Sequence, residues 1–121
     1  MNEALKPGTV AIAYVPYLNE PSRGGVHPVL IVSTAESCER LDTVAAMPGT
    51  SNVSRAPYPT HWECEPDAEN GLERQTRFKA EGILPLPVAN IKAVIGRISR
   101  RQYMEMQDAI LNTIHFEDTE W

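Results

Sequence analysis

Residues 24–32 read Gly24-Gly25-Val26-His27-Pro28-Val29-Leu30-Ile31-Val32. Four consecutive apolar residues, three of them β-branched, follow a proline. A run this short suits a central strand buried on both faces better than a helix. The paired glycines predict a flexible turn ahead of it, and His27 is a single polar ring at the entry. A turn supplies access and a strand supplies rigidity, so this is a good mounting point for a reactive side chain.

Shorter β patterns surround that strand. Thr9–Val15 alternates around Val10, Ile12 and Tyr14, after a polar lead ending at Pro7-Gly8. Residues 16–25 are predicted to form a loop rich in Pro, Ser, Gly and Asn. Residues 34–40 predict a turn or one helical turn. Leu41–Met47 reads as a third strand closed by Pro48-Gly49, with a second long loop over residues 50–59. Thr60–Glu65 alternates as a fourth strand, and Pro66–Gly71 has turn composition. Arg74–Glu81 alternates again. Pro85 and Pro87 make residues 83–88 an edge or irregular segment, and Ala93–Ile98 is a last short strand.

Ser99 opens the clearest helix. Ser99 and Gln102 have capping-box spacing. Tyr103, Met106, Ile110 and Ile114 follow at three- and four-residue steps as one apolar stripe. The acidic tail Glu117–Trp121 is expected to fray. The fold class is therefore mainly β (a β-rich α+β): a small curled antiparallel sheet or barrel with a C-terminal helix packed on it. The chain is read as one domain, residues 1–121, with its core at about 8–114 and a flexible tail at 115–121.

Net charge is −5, which argues against a simple nucleic-acid binder. The average conceals an asymmetry. Residues 71–101 hold seven basic side chains and two acidic ones, +5, so the remainder carries −10. A local basic field can bind phosphate on an acidic molecule. Cys38 and Cys64 are expected to be reduced structural thiols. No stretch approaches the roughly 18 apolar residues of a membrane span, and residues 1–7 lack a signal-peptide core. A cytoplasmic location with no membrane partner is the expectation.

His27, His61 and His115 lack metal-ligand spacing, and His61 and Cys64 fall on opposite faces of a strand. Neither a metal nor a cofactor is expected. The chain has no nucleophile elbow and no glycine-rich phosphate loop leading into a helix. Arg77, Lys79 and Glu81 are spaced to share one strand face. A guanidinium, an ammonium and a carboxylate in a row can hold a phosphate and move a proton beside it. His27 is a second acid–base candidate, because a free imidazole titrates near ~6.5.

Several blocks, in order, resemble the MazF/PemK toxin family. They are Gly8-Thr9-Val10, the 24–32 run, Val44-Ala45-Ala46-Met47, Pro59-Thr60-His61, Gly71-Leu72-Glu73-Arg74-Gln75-Thr76 and Ile95-Gly96-Arg97-Ile98-Ser99. The resemblance spans about residues 8–112. It implies an SH3-like curled sheet with a long C-terminal helix, and a homodimer with grooves along its interface. It further implies metal-independent cleavage of single-stranded RNA, in which the 2′-OH attacks the adjacent phosphate and leaves a cyclic phosphate. A cognate antitoxin would cover the groove.

Carried over by position, His27 stands where the family has arginine, and Pro48 where it has threonine or serine, with Thr50 and Ser51 just beyond. Lys79 and Glu81 align with an arginine and an aspartate of some members. The resemblance thus implies His27, Glu81 and Lys79 as catalytic residues, and Arg77, Thr50, Ser51, Gly25 and Thr76 as substrate-binding ones. A non-cleaving module that binds antitoxin or DNA on the same fold is the alternative. A gyrase-poison-like toxin, acting through its C-terminal residues, is a third.

Overall fold

The computed structural model describes residues 5–17 and 19–115. Among them, seven strands form one antiparallel sheet with two helices: β1 (Thr9–Tyr17), β2 (Glu20–Ile31), α1 (Ala35–Arg40), β3 (Thr43–Thr50), β4 (His61–Cys64), β5 (Thr76–Lys79), β6 (Leu84–Pro87), β7 (Ile91–Arg97) and α2 (Arg100–Leu111). The sheet order is β4-β5-β3-β2-β1-β7, with β6 also paired to β3. This is the expected mainly-β architecture. The acidic tail read at 117–121 lies outside the described residues.

The predicted loop over residues 16–25 is instead mostly strand. β1 and β2 form a long hairpin in which Pro16 faces Gly24 and Val15 faces Gly25, with an irregularity between Pro16 and Tyr17. The glycines that suggested a turn serve a close approach. A Cβ at Gly24 would lie 2.4 Å from the Val15 carbonyl oxygen. The lead before Gly8 is not wholly loose either, since Leu5 is buried in the core.

Pro48-Gly49 does not close β3 as predicted. The strand runs on to Thr50, because its partner on one edge changes along its length. Residues 43–46 pair with β6, and Gly49 and Thr50 pair with Phe78 and Arg77 of β5. Gly49 is needed there, as a Cβ would meet Thr76 Cγ2 at 2.7 Å and Phe78 Cε1 at 2.9 Å. The segment with two prolines is β6, which pairs with β3 alone; Leu86 is buried while Pro85 and Pro87 are exposed. Proline is tolerated at such an edge because no ladder hydrogen bond is lost on the open side.

Both faces of the sheet are covered, which explains the unbroken apolar run in β2. Strand alternation sends Val10, Leu30, Met47 and Phe78 into a main core with Met106 and Ala109 of α2. Trp62 stacks on Phe78 there, with ring centroids 6.0 Å apart. The opposite face sends Ala11, Val29, Ile31, Val44 and Ala46 into a second core with Leu5, Cys38 and Leu86. Both cysteines are buried free thiols. Ser99 caps α2 by the predicted capping box.

The 66–72 turn is built on Asn70, which is fully buried. Its Oδ1 accepts from the Asp67 and Leu72 backbone N–H groups, and its Nδ2 donates to the Glu65 carbonyl. Hydrogen bonds from the Asn70 and Glu69 backbones, with a further one from Gln102, hold the Asp67 carboxyl below the usual range. The turn packs on β7 so closely that a Cβ at Gly96 would lie 2.2 Å from the Glu69 carbonyl oxygen. Gly96→Ala is therefore expected to cost about 2 kcal/mol by overpacking, readable as a lowered urea midpoint at unchanged m-value.

Candidate functional site

Alternation also decides which polar side chains share a face. Val29 and Ile31 of β2, and Val44 and Ala46 of β3, point into the second core. Gly25, His27, Pro48 and Thr50 belong to the same face. On β5, Phe78 points to the main core, so Arg77 and Lys79 point the other way. Register links these positions across strands. Val29 pairs with Pro48, Thr50 with Arg77, Arg77 with Glu63, and Lys79 with His61. Extending the β2–β3 register by one same-face step sets His27 across from Thr50. The second core thus gives way, along one face, to a polar row from His27 to Glu63.

Gly25 makes room for His27. A Cβ at position 25 would lie 3.0 Å from the imidazole Nε2, so the ring rests over a glycine on its own strand. The β2 edge beside it is open, because β3 pairs only with residues 29–31.

The expected row of Arg77, Lys79 and Glu81 is broken. Strand β5 ends at Lys79, and Glu81 sits in the 3-10 turn Ala80–Gly82. Arg77 is not available to substrate as expected: it is buried, and its Nε donates to Glu63 Oε2 at 2.7 Å. Its terminal nitrogen donates to Glu63 and to the Arg55 carbonyl. It therefore ties the 51–60 loop down onto this face. A buried guanidinium needs such partners, and the charge count gave no sign that they exist. Lys79 makes no ion pair among the described residues.

Glu81 is also committed. Its Oε1 accepts from Thr60 Oγ1 at 2.8 Å, and its Oε2 is 2.9 Å from His61 Nε2. The Tyr58 backbone N–H donates to His61 Nδ1 at 3.1 Å. Nδ1 is thus an acceptor, so the ring proton lies on Nε2 and is donated to Glu81. Burial pushes the Glu81 carboxyl up, but the bonds from His61, Thr60 and its own backbone N–H outweigh that and leave it lowered. A carboxylate with both oxygens engaged and a lowered pKa is a weak base.

That lowering has a sign. A carboxyl lowered by folding stabilises at pH values above its ordinary titration, near about 4.3, and the benefit is lost as pH falls through the lowered value. The urea midpoint of wild type should exceed that of Glu81→Gln at pH 6, and the gap should close toward pH 3. The gap should stay under ~1 kcal/mol, because the carboxylate is half exposed and screened.

A groove of about 430 Å3 opens on the other face, where the main core runs out. Ile12, Val26, Pro28, Leu72 and Ile95 give it apolar walls, and Ser51, Glu73 and Arg74 give it a polar lip. Thr76 also borders it, but it is buried and its hydroxyl donates to the Arg74 carbonyl at 3.0 Å, so it is not the free substrate-binding hydroxyl that was expected. His27 and Thr50 also border it from the strand edge. The structure thus brings His27, Thr50, Ser51 and Thr76 together around this edge, and leaves Lys79, Glu81 and Arg77 on the polar face beyond it. Sequence reasoning assigned no role to Glu73, Arg74, Glu63 or His61. The cross-strand complement of His61 and Glu63 to Lys79 and Arg77, at matched two-residue spacing, was the available signal.

The seven basic residues of 71–101 do not form one uniform patch. Arg74 is on the groove lip, Arg77 is buried with Glu63, and Arg101 pairs with Glu105 on α2. No helix among the described residues is long and apolar enough to cross a membrane.

Comparison with known proteins agrees with this architecture. A search of curated protein sequences finds no match. Among solved structures, the fold is similar to the Mycobacterium tuberculosis toxin MazF-mt6, with 23% identity, a TM-score of 0.68, and 87% of this chain and 94% of that chain covered. It is similar to a mycobacterial endoribonuclease in complex with its cognate antitoxin, with 20% identity, a TM-score of 0.73, and 90% and 93% covered. It is also similar to MazE-MazF from Deinococcus radiodurans, with 20% identity, a TM-score of 0.63, and 88% and 91% covered. A family profile described as PemK-like, MazF-like toxin of type II toxin-antitoxin system matches residues 6–114. The chain belongs to the PemK-like, MazF-like toxins of type II toxin–antitoxin systems.

Proposed function

We propose that this chain is an endoribonuclease toxin that cleaves single-stranded RNA without a metal and is held inactive by a cognate antitoxin. The observation that carries the reading is the juxtaposition of His27 and Thr50 at an open strand edge, with Lys79, which has no ion pair among the described residues, on the same face. In this reading the 2′-hydroxyl oxygen forms a bond to the adjacent phosphorus, and the bond to the 5′-oxygen breaks. A solvent water takes the 2′-OH proton. The protonated His27 ring donates a proton to the leaving 5′-oxygen, while Lys79 and the Thr50 hydroxyl stabilise the phosphate oxygens. Ser51 borders the substrate path, Thr76 holds the Arg74 backbone beside it, and Gly25 keeps the His27 ring free to move onto the phosphate. Glu81 and Arg77 act as positioning residues through the 51–60 loop. The open β2 edge, a homodimer and an antitoxin segment covering the groove are parts of the same proposal.

The test is incubation of the pure protein with mixed-sequence RNA in EDTA from pH 5 to 9, with the matching DNA as control. New ends bearing cyclic phosphate, on RNA alone, are expected. Intact RNA at every pH would overturn the reading. It would leave a second one, a non-cleaving module that binds antitoxin or DNA. Pro48 favours that second reading, because its ring packs against Gly82 where a hydroxyl would otherwise face the row.

A further inference from the structure

We propose that the groove beyond the His27 edge is a nucleobase pocket in which Arg74 stacks on one base and Glu73 reads its edge. The proposal rests on the RNA reading above and names the part of the substrate this second concavity takes.

Three observations carry it. The groove has an apolar floor, including Ile12, Pro28, Leu72 and Ile95, and the one ring among its lining residues is His27, at the strand edge, which the cleavage reading uses at the phosphate. A flat base face suits that floor, and a guanidinium plane can cover its other face where no Phe, Tyr or Trp is present. Arg74 is also the only arginine on the lip, and it has no ion-pair partner among the described residues, whereas Arg77 and Arg101 are paired. Its charge and plane are therefore free. Finally, the groove shares His27 and Thr50 with the polar row, so a nucleotide seated in it lies beside the phosphate that the row would hold.

Glu73 gives the pocket a preference. An ionised carboxylate accepts hydrogen bonds only. It favours bases that present an amino group, and it disfavours edges made of carbonyl oxygens. Asn70 accepts from the backbone N–H of Leu72, the residue before Glu73, and the buried Thr76 hydroxyl donates to the Arg74 carbonyl, so the backbone that carries both side chains is anchored on either side.

The probe is a short, fully 2′-O-methylated RNA of randomised sequence, which has no 2′-OH to react. Its binding is followed by fluorescence anisotropy with wild type, Arg74→Ala and Arg74→Lys. Arg74→Ala should weaken binding about tenfold, the scale of one lost base stack, and Arg74→Lys should not restore it, because an ammonium has no plane to stack. In parallel, the ends generated from mixed-sequence RNA are mapped for wild type, Glu73→Gln and, as a control on α2, Glu105→Gln. Glu73→Gln should change base preference at one position, and Glu105→Gln should not. Unchanged binding by Arg74→Ala, full rescue by lysine, or an unchanged cleavage pattern for Glu73→Gln would overturn the pocket. Wild type that binds with this Arg74 dependence but cuts nothing would uphold the pocket and overturn the cleavage reading instead.

Discussion

Arg77→Leu is expected to lower the unfolding free energy by about 3–4 kcal/mol, the cost of breaking a buried ion pair from one side. The leucine fills much of the volume but strands Glu63 and leaves the Arg55 carbonyl without its donor. For a domain of this size that corresponds to a fall in Tm of roughly 10–15 °C. The double variant Arg77→Leu with Glu63→Leu should recover more than half of the loss, because two apolar side chains remove the stranded charge. Urea unfolding of wild type, Arg77→Leu, Glu63→Leu and the double variant measures the coupling. A loss below about 1 kcal/mol for the single variant would place the pair with exposed, weakly contributing ones. The same substitution frees the middle of the 51–60 loop, so amide hydrogen exchange there should quicken before global unfolding.

His27→Ala is expected to lower RNA cleavage by roughly 10²–10⁴-fold, the usual contribution of a positioned acid or base. Stability should change by no more than about 0.5 kcal/mol, since the ring packs over a glycine at an open edge and anchors no core. His27→Arg separates charge from proton transfer. Guanidinium stays protonated across the working range, so it holds a phosphate at every pH but donates no proton. Cleavage by that variant should be intermediate and its pH profile flatter than that of wild type. An arginine variant as inactive as alanine would mean that proton transfer alone matters. A histidine-to-alanine variant with full activity would remove His27 from the mechanism.

The sheet was largely legible in the chain because its strands follow period-two alternation, and the α2 boundary because a capping box is a local signal. The misread places share one cause. Gly24, Pro48 and Gly49 have turn chemistry locally, yet each lies within a strand. Gly24 and Gly49 face neighbouring strands too closely to admit a Cβ. Pro48 lies where β3 pairs with Val29 on one side and hands over from β6 to β5 on the other. Propensity describes the isolated segment, and these residues were chosen for what lies across from them.

The site was legible only as residue types. Spacing placed Arg77 and Lys79 on one face correctly, and a resemblance to related toxins marked His27 and Thr50. Whether a charge is free or spent depends on partners distant in the chain, and no one-dimensional pattern reports them. Arg77 meets Glu63 from β4 and a carbonyl from the 51–60 loop, and Glu81 meets Thr60 and His61. Arg74, three residues before Arg77, borders the groove and has no ion pair among the described residues.

By itself, then, the sequence determined a curled antiparallel sheet, its closing helix and its toxin family, because alternation, capping and ordered motifs are properties of neighbours along the chain. Tertiary structure alone decided which cations are spent on the fold and which are left at the surface. Burial makes an unpaired charge too costly to leave, and only the three-dimensional register says which charges are buried.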